Sequence, residues 1–201
     1  MPRPADNPPI KRPSPARERL LTTATRVFYK EGVRSVSVDQ VIEAASVTRS
    51  TFYRHFPSKD HLVAACLAKW DDEIRAGYAG VAAREDDPAQ LLRLMMGAIG
   101  DELCNPGFRG CPFINAAAEF PDPESLVHQA VLGHRSWFRS MVLDLLTRAG
   151  AADPNQAART MILLRDGAMV GGYLEDAAAT RAGLIESVDT VLSIQQTGGG
   201  A

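Results

Sequence analysis

Apolar residues recur at helical spacing through most of the chain, and that period predicts an all-α fold. The first stripe, Leu20/Leu21, Ala24, Val27 and Phe28, marks an amphipathic helix over residues 15–31, with Gly32 as its stop. Val38, Val41, Ile42 and Ala45 follow at the same spacing, and Ser37 with Gln40 three residues on forms a capping box. A helix of about two turns therefore starts there. Thr48 is a second start signal, three residues after Ala45, with Phe52 and Phe56 as its apolar positions and Pro57 as its end. Two helices so short and so close cannot lie antiparallel. They must cross steeply, which is the corner of a helix-turn-helix, whose second helix presents its N-terminal residues to base edges in the major groove.

Beyond this unit the chain reads as a succession of longer helices. Ser58 caps one that runs to about residue 78, with Leu62, Cys66, Trp70, Ile74 and Tyr78 spaced four apart. Asp87-Pro88, Asp122-Pro123 and Asp153-Pro154 each pair a capping side chain with a first-turn proline and so open further helices. Pro112 and Pro121 bracket a short one, Gly150 closes the helix from Asp122, and Thr180 begins the last.

The run Val41-Ile42-Glu43-Ala44-Ala45-Ser46-Val47, followed by Thr48-Arg49-Ser50-Thr51-Phe52-Tyr53-Arg54-His55-Phe56-Pro57-Ser58-Lys59-Asp60, closely resembles the DNA-binding domain of TetR-family transcriptional repressors. The resemblance covers residues 16–62. Ser46 stands where that family's turn usually has Gly, and Ser50 where Gly or Ala is common. A serine can serve in the turn if its hydroxyl bonds the local backbone. The resemblance implies an N-terminal three-helix DNA-binding domain with the helix-turn-helix (residues 15–61) and a larger C-terminal helical domain for ligand binding and dimerisation (residues 62–195). A disordered arm over residues 1–14 and a flexible tail over residues 196–201 complete this division.

Charge sharpens the picture. Residues 1–60 carry 11 Lys and Arg against 6 Asp and Glu, a net +5, whereas residues 61–201 carry 11 against 18, a net −7. A basic first third holding the helix-turn-helix is the footprint of a phosphate-binding surface. No apolar run approaches the ~18 to 20 residues of a membrane span, and the polar, proline-rich N-terminus does not read as a secretory signal, so a cytoplasmic location is expected. Cys66, Cys104 and Cys111 are odd in number and lack metal-site spacing, which argues against a disulfide framework or a metal centre. No cofactor is expected. A phosphate-binding glycine loop, a nucleophile elbow and a His-x-x-x-His pair are all missing from the sequence, so catalysis is not expected either.

Arg49, Thr51, Tyr53 and His55 are the expected readers of bases or nearby backbone, with Ser50 as a further contact. Ser37, Thr48, Arg54 and Lys59 are the expected phosphate anchors. The resemblance implies a cavity in the body for a small, largely apolar effector, and helical phase offers Trp70, Met95, Met96, Ile99, Phe113, Asn115, Phe120, His134, Trp137, Phe138 and Met141 as its expected lining. Met161, Leu164, Ala168, Gly171, Gly172, Leu184, Val188 and Val191, on the last two helices, are the expected homodimer interface. The family resemblance implies double-stranded operator DNA as partner and repression relieved by the effector. The alternative is a thiol-based redox or electrophile sensor using Cys111, with Cys104 as resolving thiol and Arg109 as the nearest cation in sequence.

Overall fold

The computed structural model describes residues 14–197. Among these the chain forms helices and no strands, as the hydrophobic period predicts: α1 Pro15–Glu31, α2 Val38–Ala44, α3 Arg49–His55, α4 Lys59–Ala82, α5 Pro88–Leu103, α6 Pro112–Glu119, α7 Leu126–Arg148, α8 Pro154–Leu174 and α9 Ala177–Thr197. The expected arm, apart from Ser14, lies outside the described residues, and so do residues 198–201 of the expected tail. Residues 196–197 of that tail are helical, as the end of α9.

Local chemistry sets most of the boundaries. Ser37, Thr48 and Ser58 each accept the backbone N–H three residues ahead and so start α2, α3 and α4; Ser37 and Gln40 complete a reciprocal capping box. Asp87 accepts the Ala89 N–H, two residues ahead, and Asp153 the Gln156 N–H, three ahead, to start α5 and α8, each with proline in the first turn. Two starts differ from the sequence expectation. The Asp122 carboxylate accepts from Glu124, and its carbonyl accepts the Ser125 N–H at 3.1 Å, so residues 122–125 close a turn and Ser125 caps α7. Asp176 accepts from the Ala179 N–H at 2.9 Å, and α9 therefore begins at Ala177 rather than Thr180.

α1, α2 and α3 close around Leu20, Ala24, Val36, Val41 and Phe52, all fully buried. Leu62 and Cys66 extend that core into α4, which also packs on α7 and so joins the helix-turn-helix to the body. The expected four-residue stripe along α4 does not stay inside. Steps of four overshoot a helical turn by about 40° each, so the line drifts round the helix, and Ile74 is 39% exposed. In the body α5 and α9 are bolted by two ion pairs, Arg93–Asp189 and Arg181–Asp101, and α8 packs on both α7 and α9.

Candidate nucleic-acid interface

Phe52, fully buried, and Phe56 pin α3 to the core, and this fixes which of its faces meets solvent. Thr48, Arg49, Ser50, Tyr53 and Arg54 are exposed; Thr51 and His55 are half-buried. Thr48 is more than a cap, since its hydroxyl also donates to Thr51 Oγ1 at 2.9 Å and lies 3.0 Å from Ser50 Oγ. Three hydroxyls are thus gathered at one helix start, where backbone N–H groups point outward and favour anions. Ser37 and Lys59 stand at the starts of α2 and α4, so these N-termini carry polar or cationic groups as well. Partial burial pulls the Lys59 ammonium below its ordinary pKa, and its Nζ lies 5.9 Å from the centre of the Phe28 ring.

Two more of the expected readers, Arg49 and His55, have protein partners, both on other helices or their caps. Arg49 Nη2 donates to both oxygens of Asp39, at 2.5 and 2.7 Å, so a salt bridge runs from the first turn of α2 to the first residue of α3. His55 Nε2 lies 3.3 Å from Ser14 Oγ at the start of α1, which turns that imidazole toward the domain's own N-terminus.

The turn between the helices is built differently from the expectation. Ser46 has φ +52°, the one non-glycine residue with positive φ among the described residues. Its N–H donates to Glu43 O at 3.0 Å and the Val47 N–H to Ile42 O at 3.2 Å, the paired main-chain bonds of a Schellman cap. The backbone, not the serine hydroxyl, holds the turn. Glycine would adopt the same angles without a Cβ penalty.

The apolar residues expected to line an effector cavity are largely core. Met96, Phe113, His134, Phe138 and Met141 are buried, whereas Met95, Ile99, Phe120 and Trp137 pack half-buried against them. Phe113 and His134 stack with ring centres 3.7 Å apart, and Trp137 and Phe138 flank the pair. His134 Nδ1 lies 2.8 Å from Asp71 Oδ1, so its partner is a structural carboxylate on α4. Burial lowers the His134 pKa, and the Asp71 hydrogen bond only partly opposes it. Trp70 and Asn115 do border a cavity, but it lies between α1, α4 and α6.

The interface residues divide in the same way. Met161, Ala168, Leu184 and Val188 are buried in the subunit's own core, and the reason is helical phase: α8 is apolar on more than one face, and the buried one contacts α5 and α7. Gly172 is small because a Cβ there would come within 2.8 Å of Leu103 Cβ, and Gly171 because one would lie 3.2 Å from Thr180 Cγ2. The outward stripe is Leu163, Gly167, Val170 and Leu174, at spacings of four, three and four, with Leu163 72% and Leu174 70% exposed. Leu164, Gly171 and Gly183 border the groove beside it, and Val191 is half-buried. A single helical phase shift separates this stripe from the one read in the sequence.

Among the cysteines, burial drives the Cys66 thiol up to about 11. Cys111 Sγ is buried and accepts from Arg165 Nη2 at 3.2 Å, a cation 54 positions away in sequence. Arg109 instead lies over the Tyr173 ring, 6.0 Å from its centre. A thiol enclosed in this way is shielded from a solution oxidant, which counts against the sensing alternative even with the Arg165 guanidinium on its sulfur.

The helix-turn-helix and its neighbours, residues 20–66, match the family model described as "Bacterial regulatory proteins, tetR family". The crystal structure of a TetR-family transcriptional regulator from Streptomyces coelicolor superposes with a TM-score of 0.86 at 44% sequence identity, covering 90% of this chain and 95% of that one. The HTH-type transcriptional regulator YjdC of Escherichia coli is 25% identical over 154 residues, 76% of this chain and 81% of its own. The HTH-type transcriptional repressor KstR of Mycolicibacterium smegmatis is 34% identical over 83 residues, 41% of each chain. With a short helix that buries its apolar face and exposes its polar one, and this degree of likeness over nearly its whole length, the chain belongs to the TetR family of DNA-binding transcriptional regulators.

Proposed function

We propose that the protein is a homodimeric repressor that binds a two-fold operator and leaves it when a small, largely apolar ligand binds. The observation that carries the DNA-binding half is the geometry of α3: Phe52 and Phe56 bury one face, and Arg49, Ser50, Tyr53 and Arg54 stand on the other. Arg49 and Tyr53 read bases, Thr51 supports them, and Ser37, Thr48, Arg54 and Lys59 hold phosphates. His55, tied to Ser14, acts by orienting α1 rather than by touching DNA.

Two half-sites require two reading helices. A single seven-residue helix contacts too few base pairs for strong specificity, and a two-fold dimer doubles them. The Leu163, Gly167, Val170 and Leu174 stripe, exposed and apolar beside a groove that α9 also borders, supports that pairing. Repression agrees with the likeness to KstR, a transcriptional repressor. By linkage, a ligand that weakens DNA binding about 100-fold needs only ~2.7 kcal/mol of coupling. The chain is a binding protein and not an enzyme.

Selection of duplexes from a random pool by the full-length protein tests the reading. Enrichment of an inverted repeat, each arm protected by one subunit, is expected; a pool that stays random at low salt overturns it.

A further inference from the structure

Two adjoining hollows lie where the helix-turn-helix meets the body. The inner chamber, about 210 Å³, is walled by Phe28 of α1, Leu67 and Trp70 of α4, and Pro112 and Ala116 of α6. The outer cleft, about 550 Å³, lies between α1 and α4 and is bordered by Arg26, Lys30, Lys69 and Arg109. Tyr29, Trp70 and Arg109 border both, so the two adjoin across one partition of side chains. Tyr29 and Trp70 meet edge to face there, with ring centres 5.5 Å apart.

The charged side chains lining the outer cleft are all cationic, with Glu18 and Glu102 close enough to act on Lys69 and Tyr29 from outside the lining. Lys69 is paired with Glu73, but Arg26, Lys30 and Arg109 have no ion-pair partner among the described residues. The one carboxylate on the chamber wall, Glu119, is already occupied: its two oxygens accept the N–H groups of Val33 and Arg34 at 3.0 and 2.6 Å. An apolar chamber with a cationic mouth selects a molecule that is apolar at one end and anionic at the other. The inner volume suits one aromatic ring or a short acyl chain, since a cavity of about 150 Å³ already holds benzene.

We propose that this α1–α4–α6 junction is the effector site and that it takes a small apolar monocarboxylate, its ring or chain against Phe28, Leu67 and Trp70 and its carboxylate at Arg26, Lys30 and Arg109. The proposal rests on the ligand-release reading above and supplies its place and chemistry. The junction is also where occupancy reaches DNA. Tyr29 Oη donates to Gly110 O and accepts the Arg109 N–H, both at 2.9 Å, while Glu119 clasps the loop after α1. A guest entering the inner chamber pushes α1 away from α6 against these bonds, and α1 carries α2 and α3 with it.

A Trp137→Phe protein keeps Trp70 as its sole tryptophan and serves as the reporter. It is titrated without DNA with octanoate and cinnamate, and with octanamide and cinnamamide as uncharged controls. Saturable change in Trp70 emission is expected with the carboxylates, at least 10-fold weaker with the amides, and weakened about 10-fold by Arg109→Gln and by Lys30→Gln. Ala116→Leu, which fills the chamber, abolishes it; equal thermal unfolding of Arg109→Gln and parent keeps that variant informative if Ala116→Leu does not fold. No saturable change up to millimolar carboxylate, or equal binding of acid and amide, overturns the site. Binding that leaves duplex affinity unchanged keeps the site but overturns its role as effector site. Failure to select any duplex overturns the repressor reading and leaves the binding result standing.

Discussion

Glu119 and Arg34 hold each other in both directions: the Glu119 carboxylate accepts the Arg34 main-chain N–H at 2.6 Å, and the Arg34 guanidinium donates to the Glu119 carbonyl at 3.1 and 2.7 Å. The pair joins the last residue of α6 to the loop between α1 and α2, across 85 positions of sequence. With Tyr29 at Gly110 it fastens α1 to both ends of α6. Glu119→Ala removes the acceptor of two backbone N–H groups. A loss of about 1 to 3 kcal/mol in urea unfolding is expected, together with faster hydrogen exchange at Val33 and Arg34. Unchanged exchange there means the clasp is open in solution.

On the proposed function Arg49 has to serve DNA as well as Asp39, its partner in the free protein. The pair is well exposed, 64% for Arg49 and 67% for Asp39, so its contribution to folding is at most about 1 kcal/mol. Its effect on recognition is larger, because the guanidinium must leave Asp39 or bring that carboxylate toward the phosphates. Asp39→Asn raises duplex affinity at low salt, and Arg49→Ala lowers it by about 1 to 3 kcal/mol if the residue reads a guanine. Lys59→Ala shallows the salt slope by about one unit. Anisotropy titrations across a salt series measure all three, and an Arg49→Ala curve matching wild type removes the reading role.

Ser46 sits in left-handed backbone that costs a residue with a Cβ about 1 to 2 kcal/mol. Both bonds of its turn are main-chain bonds, so glycine keeps them. Ser46→Gly stabilises the fold by about 1 kcal/mol in chemical denaturation, with the gain reduced by glycine's greater freedom when unfolded. Destabilisation shows instead that the side chain holds the turn.

His134 makes stability depend on pH. Its pKa is lowered on folding, chiefly by burial, while Asp71 and the cations Arg75 and Arg165 act on it from α4 and α8. As pH falls through about 6.5, its ordinary value, the unfolded chain takes up the proton first. The His134 contribution is therefore full above about 6.5 and declines below it. His134→Phe keeps a ring against Phe113 and leaves Asp71 paired with Arg75, so its stability falls less between pH 7 and 5. Parallel curves for the two proteins contradict this.

For the dimer, substitutions on the two faces of α8 separate. Leu174→Asp raises the monomer fraction in sedimentation and leaves the subunit folded, because Leu174 is largely solvated in the monomer. Gly172→Ala drives a Cβ into Leu103 and destabilises each subunit by about 1 to 3 kcal/mol. A Leu174→Asp protein that sediments as wild type excludes this stripe from the interface.

The sequence by itself determined the helices of the reading head and which side of α3 is polar. Caps act over three or four residues, so Ser37 with Gln40, Thr48 with Thr51 and Ser58 with His61 are legible in the letters alone. Phe52 on the seven-residue α3 and Phe56 at its C-cap, four apart, leave one way to bury it. Long helices gave no such certainty, because one rich in small and apolar residues on several faces can be turned inward in more than one way. Tertiary packing chose Met161 and Ala168 for the inside of α8 and left Leu163 and Leu174 in solvent. Contacts over 50 to 90 positions, such as Glu119 to Arg34, Arg165 to Cys111 and His134 to Asp71, follow from how whole helices lean on one another. That leaning is set by summed side-chain volumes across the body, a quantity no local pattern contains.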